Sequence, residues 1–428
     1  MTSIKEYVSK QDGYQLHFIK SYKFKTNSIT VKLKAPLNRE TITYRALLPY
    51  VLNQGTNNYP SKQELQLKLD DLYGSVLGIG GNKKGESHII TIRMELANKK
   101  FIPDNMDIMN EGIDLVHDIL YNPHAKDNRF NDAIFNREKD TLRKKIHAQK
   151  DDKMSYANMR LIDEMCKGEK YQLHVHGYEE DLEDLTNEDL YSYYLTMLQS
   201  DQMNIYVHGD FDEEEVTNKF NAVFKRKSNP QVPEEDEENN QTVKQKEVVE
   251  KQEIQQAKLH IGYRTNTAYR DKDYFSLQVF NGIFGGFPSS KLFINVREKN
   301  SLAYYAASKL ESHKGLLLVF SGIAPDDFEK ARDIIKKQME AMKQGDFTEN
   351  DVTETKDLIV NQLLETMDHP QGIIELLYQQ VLGGVTRTPE EMTENIKKVS
   401  KQDVIDVGKK IEEDTLYLLT REGGSSDA

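Results

Sequence analysis

Arg297 and Tyr304 set two hydrogen-bond donors, a guanidinium and a phenol hydroxyl, seven residues apart. They stand in an ordered string: Gly285-Gly286-Phe287-Pro288-Ser289-Ser290-Lys291-Leu292-Phe293, then Val296-Arg297-Glu298-Lys299, then Leu302-Ala303-Tyr304. A guanidinium and a phenol hydroxyl both donate hydrogen bonds, and such donors matter most where negative charge develops. Positions 297 and 304 would share a face of one continuous helix, but Ser301-Leu302 is expected to end that helix. Composition alone favours a structural reading, in which Arg297 pairs with a surface Glu and Tyr304 fills a core. Gly285-Gly286 is expected to make a tight turn before a capped helix.

The other chemistry-bearing types are sparse. The eleven His include no pair three or four apart, the spacing that puts two imidazoles on one helix face for a metal. His174 and His176 are two apart and could share a strand face, but no nearby carboxylate pattern completes a site. The single Cys166 permits neither an internal disulfide nor a thiolate zinc cluster, and it is expected to be an ordinary buried residue.

The elements that must position these residues recur twice in the same order. Each half opens with strand alternation, Ile29-Thr30-Val31-Lys32-Leu33 and Leu259-His260-Ile261-Gly262-Tyr263. An apolar helix running into a Gly turn follows, from Ala46 to Gly55 and from Phe275 to Gly286. Pro60-Ser61 and Pro288-Ser289 then start a helix, with Ser as N-cap. The strands 88–94 and 316–320 precede amphipathic helices striped by Met106, Met109, Ile113, Val116, Leu120 and by Phe328, Ala331, Ile335, Met339, Met342. Leu185 to Leu190 and Val399 to Val404 each lead into a last helix and a closing strand. This predicts an α+β fold of two homologous sandwich halves, each a mostly antiparallel sheet packed on helices.

Between the halves, the run Glu234-Glu235-Asp236-Glu237-Glu238 and its Asn, Gln, Lys and Glu neighbours lack the apolar residues needed to offset ordering entropy. The expected domains are therefore 1–225, a polar linker 226–256, and 257–428. The net charge of −13 argues against a nucleic-acid partner. No stretch approaches the ~20 apolar residues of a membrane helix, and Met1-Thr2-Ser3-Ile4-Lys5-Glu6 lacks a signal-peptide pattern. A cytoplasmic protein without a membrane partner is expected.

The string from Gly285 to Tyr304 resembles the C-terminal domain of the insulinase/pitrilysin metallopeptidase family, which includes the mitochondrial processing peptidase. The repeat and the linker extend the resemblance over nearly the whole chain. Active members carry His-x-x-Glu-His before a Gly-Thr turn: two zinc ligands and the general base. The turn here is Gly55-Thr56, which places Ala46 and Tyr50 where the His would stand and Pro49 where the Glu would stand. Proline inside a helix costs on the order of 3 kcal/mol, so the helix is expected to be altered there. The third ligand, a Glu, falls on Lys145, whose ammonium has no lone pair for zinc.

The resemblance thus implies an inactive member with no metal and no cofactor. It implies two halves closing a clam-like chamber, in which Arg297 and Tyr304 hold a substrate carbonyl and Gly285-Gly286 borders the peptide. Smaller members pair two chains, so the expected partner is an active paralogue with an intact zinc motif, or a second copy, together with a peptide substrate. The alternative is a stand-alone peptide-binding or scaffold protein that adds an extended chain to a sheet edge. The sequence also resembles an inactive peptidase-like group of Gram-positive bacteria named in connection with elongation factor P modification.

Overall fold

The computed structural model describes residues 4–103, 105–226 and 245–422, in two compact units. The first contains residues 1–148 and 173–235, the second 149–172 and 236–428.

The first unit opens with strands β1 (Glu6–Gln11), β2 (Tyr14–Lys20) and β3 (Thr26–Pro36), followed by helices α1 (Ile42–Leu52) and α2 (Lys62–Asp71). The hairpin β4 (Val76–Lys84) and β5 (Ser87–Ala97) leads to α3 (Ile108–Tyr121), a two-residue ladder β6 (Ala125–Lys126) and β7 (Arg129–Phe130), and α4 (Asp132–Asp151). The chain then lends α5 (Lys153–Met165) to the second unit. It returns through α6 (Glu179–Asp184), α7 (Asn187–Ser200), β8 (Gln202–Gly209) and α8 (Glu213–Val223).

The second unit holds β9 (Lys246–Gln252), β10 (Ala257–Arg264) and α9 (Tyr274–Asn281). Two π-helical segments follow, Gly282–Gly286 and Phe293–Glu298. Then come β11 (Ala303–Glu311), β12 (Leu316–Ile323), α10 (Phe328–Gln344), α11 (Glu349–Met367), α12 (Pro370–Gly383), α13 (Pro389–Lys398), α14 (Lys401–Lys409) and β13 (Glu412–Arg421). Among the described residues no helix is long and apolar enough to cross a membrane.

The two sheets repeat one topology. Their strand orders are β4-β5-β3-β8-β2-β1 and β11-β12-β10-β13-β9. All neighbours are antiparallel except one pair in each, β2 with β8 and β9 with β13. The fold is the α+β sandwich expected. In the first unit Ile29, Val31 and Leu33 of β3 and Ile90, Ile92 and Met94 of β5 share a core with Leu47, Leu48 and Val116. The matching caps also recur: Thr186 Oγ1 accepts from Asp189 N at the start of α7, and Ser400 Oγ from Asp403 N at the start of α14.

The expected boundaries need correction at three places. Residues 149–172 pack with the second unit rather than the first. There Ala157, Leu161 and Met165 of α5 cover Leu316, Leu318 and Phe320, which alternation puts on the sheet face opposite Leu317 and Val319. A Cβ at Gly262 would press on the Met165 sulfur at 2.5 Å, so glycine there lets α5 come close. Cys166 is buried in this layer, as expected.

Arg226, taken as the first linker residue, is buried in the first unit and donates to the carbonyls of Leu198 (2.6 Å) and Gly13 (2.7 Å). Residues 246–252, also taken as linker, form β9. Their charge concealed a strand because Glu250 accepts from Tyr156 Oη (2.6 Å), Tyr417 Oη (2.7 Å) and Arg160 Nε (3.3 Å). A carboxylate so satisfied tolerates a sheet. The acidic run 234–238 lies outside the described residues.

Candidate functional site

Ala46, Pro49 and Tyr50 all lie on α1. Contrary to expectation, the helix runs through Pro49 unbroken, and Asn53 N still bonds to Pro49 O at 3.3 Å. Packing explains this. Ile42, Leu47, Leu48, Val51 and Leu52 are all buried, each contributing ~1.5–3 kcal/mol, against ~3 kcal/mol for the proline. Ala46 is buried, and Tyr50 is half-buried. Burial and then the charge of Glu138 raise the Tyr50 pKa, so its hydroxyl stays protonated. Glu138 itself is buried on α4 and accepts from Arg137 Nε at 2.8 Å. Lys145, two turns further along α4, is exposed.

Beneath α1 lies a buried polar cluster that the sequence reading missed. Arg45 donates to Asp201 Oδ2 (2.7 Å), to Leu33 O (3.1 Å), to His88 O (3.2 Å) and to His88 Nδ1 (3.3 Å). His88 Nε2 donates in turn to Val175 O at 3.3 Å. The imidazole is therefore the neutral Nε2–H tautomer. Burial and the neighbouring Arg45 charge lower its pKa to about 3. The only sequence signal was an Arg inside an otherwise apolar helical run.

His174 and His176 do not share a strand face. They lie in a turn closed by Gly177 N to His174 O at 2.9 Å, with Gly177 at φ +71°. Among the described residues, no group of three or more His, Cys, Asp or Glu side chains is placed to hold a metal ion.

In the second unit Gly285 and Gly286 are not a tight turn but part of the π-helical segment 282–286. A Cβ at Gly285 would come within 2.5 Å of Ser308 Oγ and 2.8 Å of Leu292 Cδ1. Glycine is required there by the close approach of β11. The cap of the next helical stretch is Ser290, whose Oγ accepts from Phe293 N at 3.4 Å, rather than Ser289.

Arg297 is the penultimate residue of this stretch. Its guanidinium stacks 4.7 Å over the Phe293 ring, is exposed, and has no ion-pair or hydrogen-bond partner among the described residues. Ser301 then turns the chain with φ +51°. Tyr304 follows at the start of β11, an edge strand, with 74% of its surface exposed. The two donors thus sit on either side of one turn; among the described residues Arg297 makes no surface ion pair, and Tyr304 does not fill a core.

Residues 184–359 match a family model described as "Peptidase M16 inactive domain". The chain is 45% identical over 426 residues, all of both chains, to a Bacillus subtilis (strain 168) protein named "Probable inactive metalloprotease YmfF". It is 24% identical over 178 residues, 40% of this chain and 43% of the other, to the "Uncharacterized zinc protease YmxG" of the same organism. A crystal structure of a conserved protein from Enterococcus faecalis V583 superposes with a TM-score of 0.89 at 31% identity, covering 98% of this chain and 100% of that one. The 45% identity over the full length of a probable inactive metalloprotease, together with the match to the M16 inactive-domain model, places the chain in the M16 (insulinase/pitrilysin) peptidase family as an inactive metallopeptidase homologue.

Proposed function

We propose that this chain is the cytoplasmic, non-catalytic subunit of a metallopeptidase-like assembly. It binds an extended peptide and lends Arg297 and Tyr304 to a zinc site carried by an active paralogue. The observation that carries this reading is that both donors are exposed and that Arg297 has no ion-pair or hydrogen-bond partner among the described residues. An oxyanion donor is worth roughly 2.7–4 kcal/mol when aimed at developing charge, and a chain without zinc ligands of its own can offer it only elsewhere.

The peptide would be held on β4, the edge of the first sheet. One side of β4 is paired to β5 from Val76 to Lys84, and among the described residues its other backbone edge has no neighbouring strand. An extended chain adds to such an edge through main-chain hydrogen bonds. A Cβ at Gly78 or Gly80 would meet nothing within 4 Å, which leaves room for the side chains of a bound strand.

Copurification from the native cell tests this. A family member with intact His-x-x-Glu-His is expected to come down with this chain. A stable monomer or homodimer that carries peptide and no such partner favours the alternative, a stand-alone peptide-binding or scaffold protein. Elongation factor P modification would then be the pathway to examine.

A further inference from the structure

The first sheet has a second open edge. Strand β1 lies at the end opposite β4 and pairs with β2, from Glu6 against Ile19 to Gln11 against Tyr14. Among the described residues no strand neighbours its outer side. Such an edge carries a row of unpaired N–H and C=O groups that can template a further strand. It also exposes apolar surface, for Tyr7 is 58% and Val8 45% exposed. Tyr7 stacks on the core residue Phe18 with ring centroids 6.3 Å apart. By alternation Tyr7, Ser9 and Gln11 therefore lie on the core side of the sheet, and Glu6, Val8 and Lys10 on the other.

The charges on this strand select its occupant. Lys10 is exposed and has no hydrogen-bond or carboxylate partner among the described residues. Glu6 Oε1 lies 2.7 Å from His17 Nδ1, which leaves the second carboxylate oxygen to accept another bond. A lone lysine on an edge repels a second copy and guards against pairing. Here Glu6 and Lys10 stand two residues to either side of Val8, on one face. A two-fold axis through Val8, perpendicular to the sheet, runs two β1 strands antiparallel and keeps core side on core side. It sets each Glu6 against Lys10 of the other copy, with Val8 against Val8 between the two ion pairs. Tyr7 then faces Ser9, and Lys5 faces Gln11. Moving the axis to Ser9 would set Glu6 against Asp12, and moving it to Tyr7 would set Val8 against Glu6. Of the three registers, the one centred on Val8 matches charge with charge and apolar with apolar.

We propose that this chain associates with a second copy of itself through β1, the two strands adding edge to edge in the register centred on Val8 to make one sheet continuous across both copies. β1 and β4 are opposite edges of the sheet. Self-pairing at β1 therefore leaves β4 unpaired and does not rest on the reading of β4 as a peptide-binding edge. A single strand pair is smaller than the ~1,200 Å² of a standard interface, so a dissociation constant on the order of 10 μM is expected.

Analytical ultracentrifugation of the full chain, with amide exchange read across 6–10, tests this. At concentrations well above the expected constant, the parent should sediment as a dimer, and exchange at 6–10 should slow as concentration rises. Lys10→Glu sets like charges against Glu6, and Val8→Lys sets two ammonium groups at the axis. Both side chains are exposed, so both variants are expected to melt like the parent and to dimerise about tenfold more weakly. Mixing Lys10→Glu with Glu6→Lys should restore association as a heterodimer, because every Glu then faces a Lys. Should loss of the His17 contact lower the melting temperature of Glu6→Lys, Glu6→Gln replaces it and is expected to restore pairing in part. A parent that stays monomeric overturns the proposal, as does a dimer whose residues 6–10 exchange as fast as in the monomer. A dimer that Lys10→Glu leaves unchanged, or a mixture that shows no recovery, overturns it as well.

Discussion

Arg45 of α1 and Asp201 meet at 2.7 Å with 1% of each side chain exposed. The carbonyls of Leu33 and His88 accept further guanidinium N–H hydrogen bonds, so the cation is solvated by protein. Removing one partner leaves the other charged and buried, which costs roughly 3–5 kcal/mol. Arg45→Met is therefore expected to lower the urea midpoint strongly. Arg45→Met together with Asp201→Leu should recover much of the loss, because an apolar pair strands no charge. A double variant no better than the single one would mean the cluster holds α1 by specific hydrogen bonds.

The neutral His88 makes stability depend on pH. Its folded pKa is lowered from the ordinary 6.5 to about 3, so below pH 6.5 the unfolded chain binds a proton that the folded chain refuses. Stability is expected to fall as pH drops through 6.5 towards 3, by on the order of 1–2 kcal/mol between pH 7 and 5. His260, fully buried in the second unit and also lowered to about 3, adds a term of the same sign. Denaturant midpoints at pH 7 and 5 check this, and His88→Gln should flatten the dependence.

Glu250 ties β9 to both α5 and β13, through Tyr156 and Tyr417. In the parent protein residues 246–252 are expected to resist proteolysis. Glu250→Ala leaves two phenols and Arg160 without their shared acceptor and should expose this strand to cleavage. Mass analysis of early fragments decides it: no early cut within 246–252 of the variant means that ladder pairing alone holds the strand.

Much of the fold was legible because it is written twice. Period-two alternation at Ile29–Leu33 and Leu259–Tyr263, and capping residues at Thr186 and Ser400, are local signals that survive without tertiary context. The segments misread depend on distant partners. β9 reads as solvated chain until Tyr156 and Tyr417 are placed over Glu250. α5 is an amphipathic helix in any register, and only Gly262 and the second apolar face of β12 show which sheet it covers. At the site, the residue types were readable and their surroundings were not. The ligand position of Lys145 is what the family resemblance implies, whereas the turn that carries His176 is made by bonds to residues 83, 88 and 43.

Gly285 separates packing from peptide contact. Its Cβ would collide with Ser308 Oγ and Leu292, so Gly285→Ala is expected to cost roughly 1–3 kcal/mol through overpacking. Thermal melting reads the loss. A variant of unchanged melting temperature that binds peptide more weakly would instead assign this glycine to the peptide.

Arg297 and Tyr304 carry the proposed function, and a paired substitution tests it. Among the described residues Arg297 stacks on Phe293 alone, and Tyr304 is largely exposed, so neither holds the core. Arg297→Ala with Tyr304→Phe is expected to leave melting temperature and complex size unchanged. If the two donors serve a zinc site on an active paralogue, peptide turnover by the mixed complex should fall by roughly 10–1000-fold, the range for loss of transition-state donors. The fall should appear in kcat/KM, while the zinc content of the partner stays constant. Loss of assembly or a lower melting temperature would instead mark the pair as structural. Unchanged turnover in a properly assembled complex would remove the catalytic-partner reading and leave peptide capture as the role of this chain.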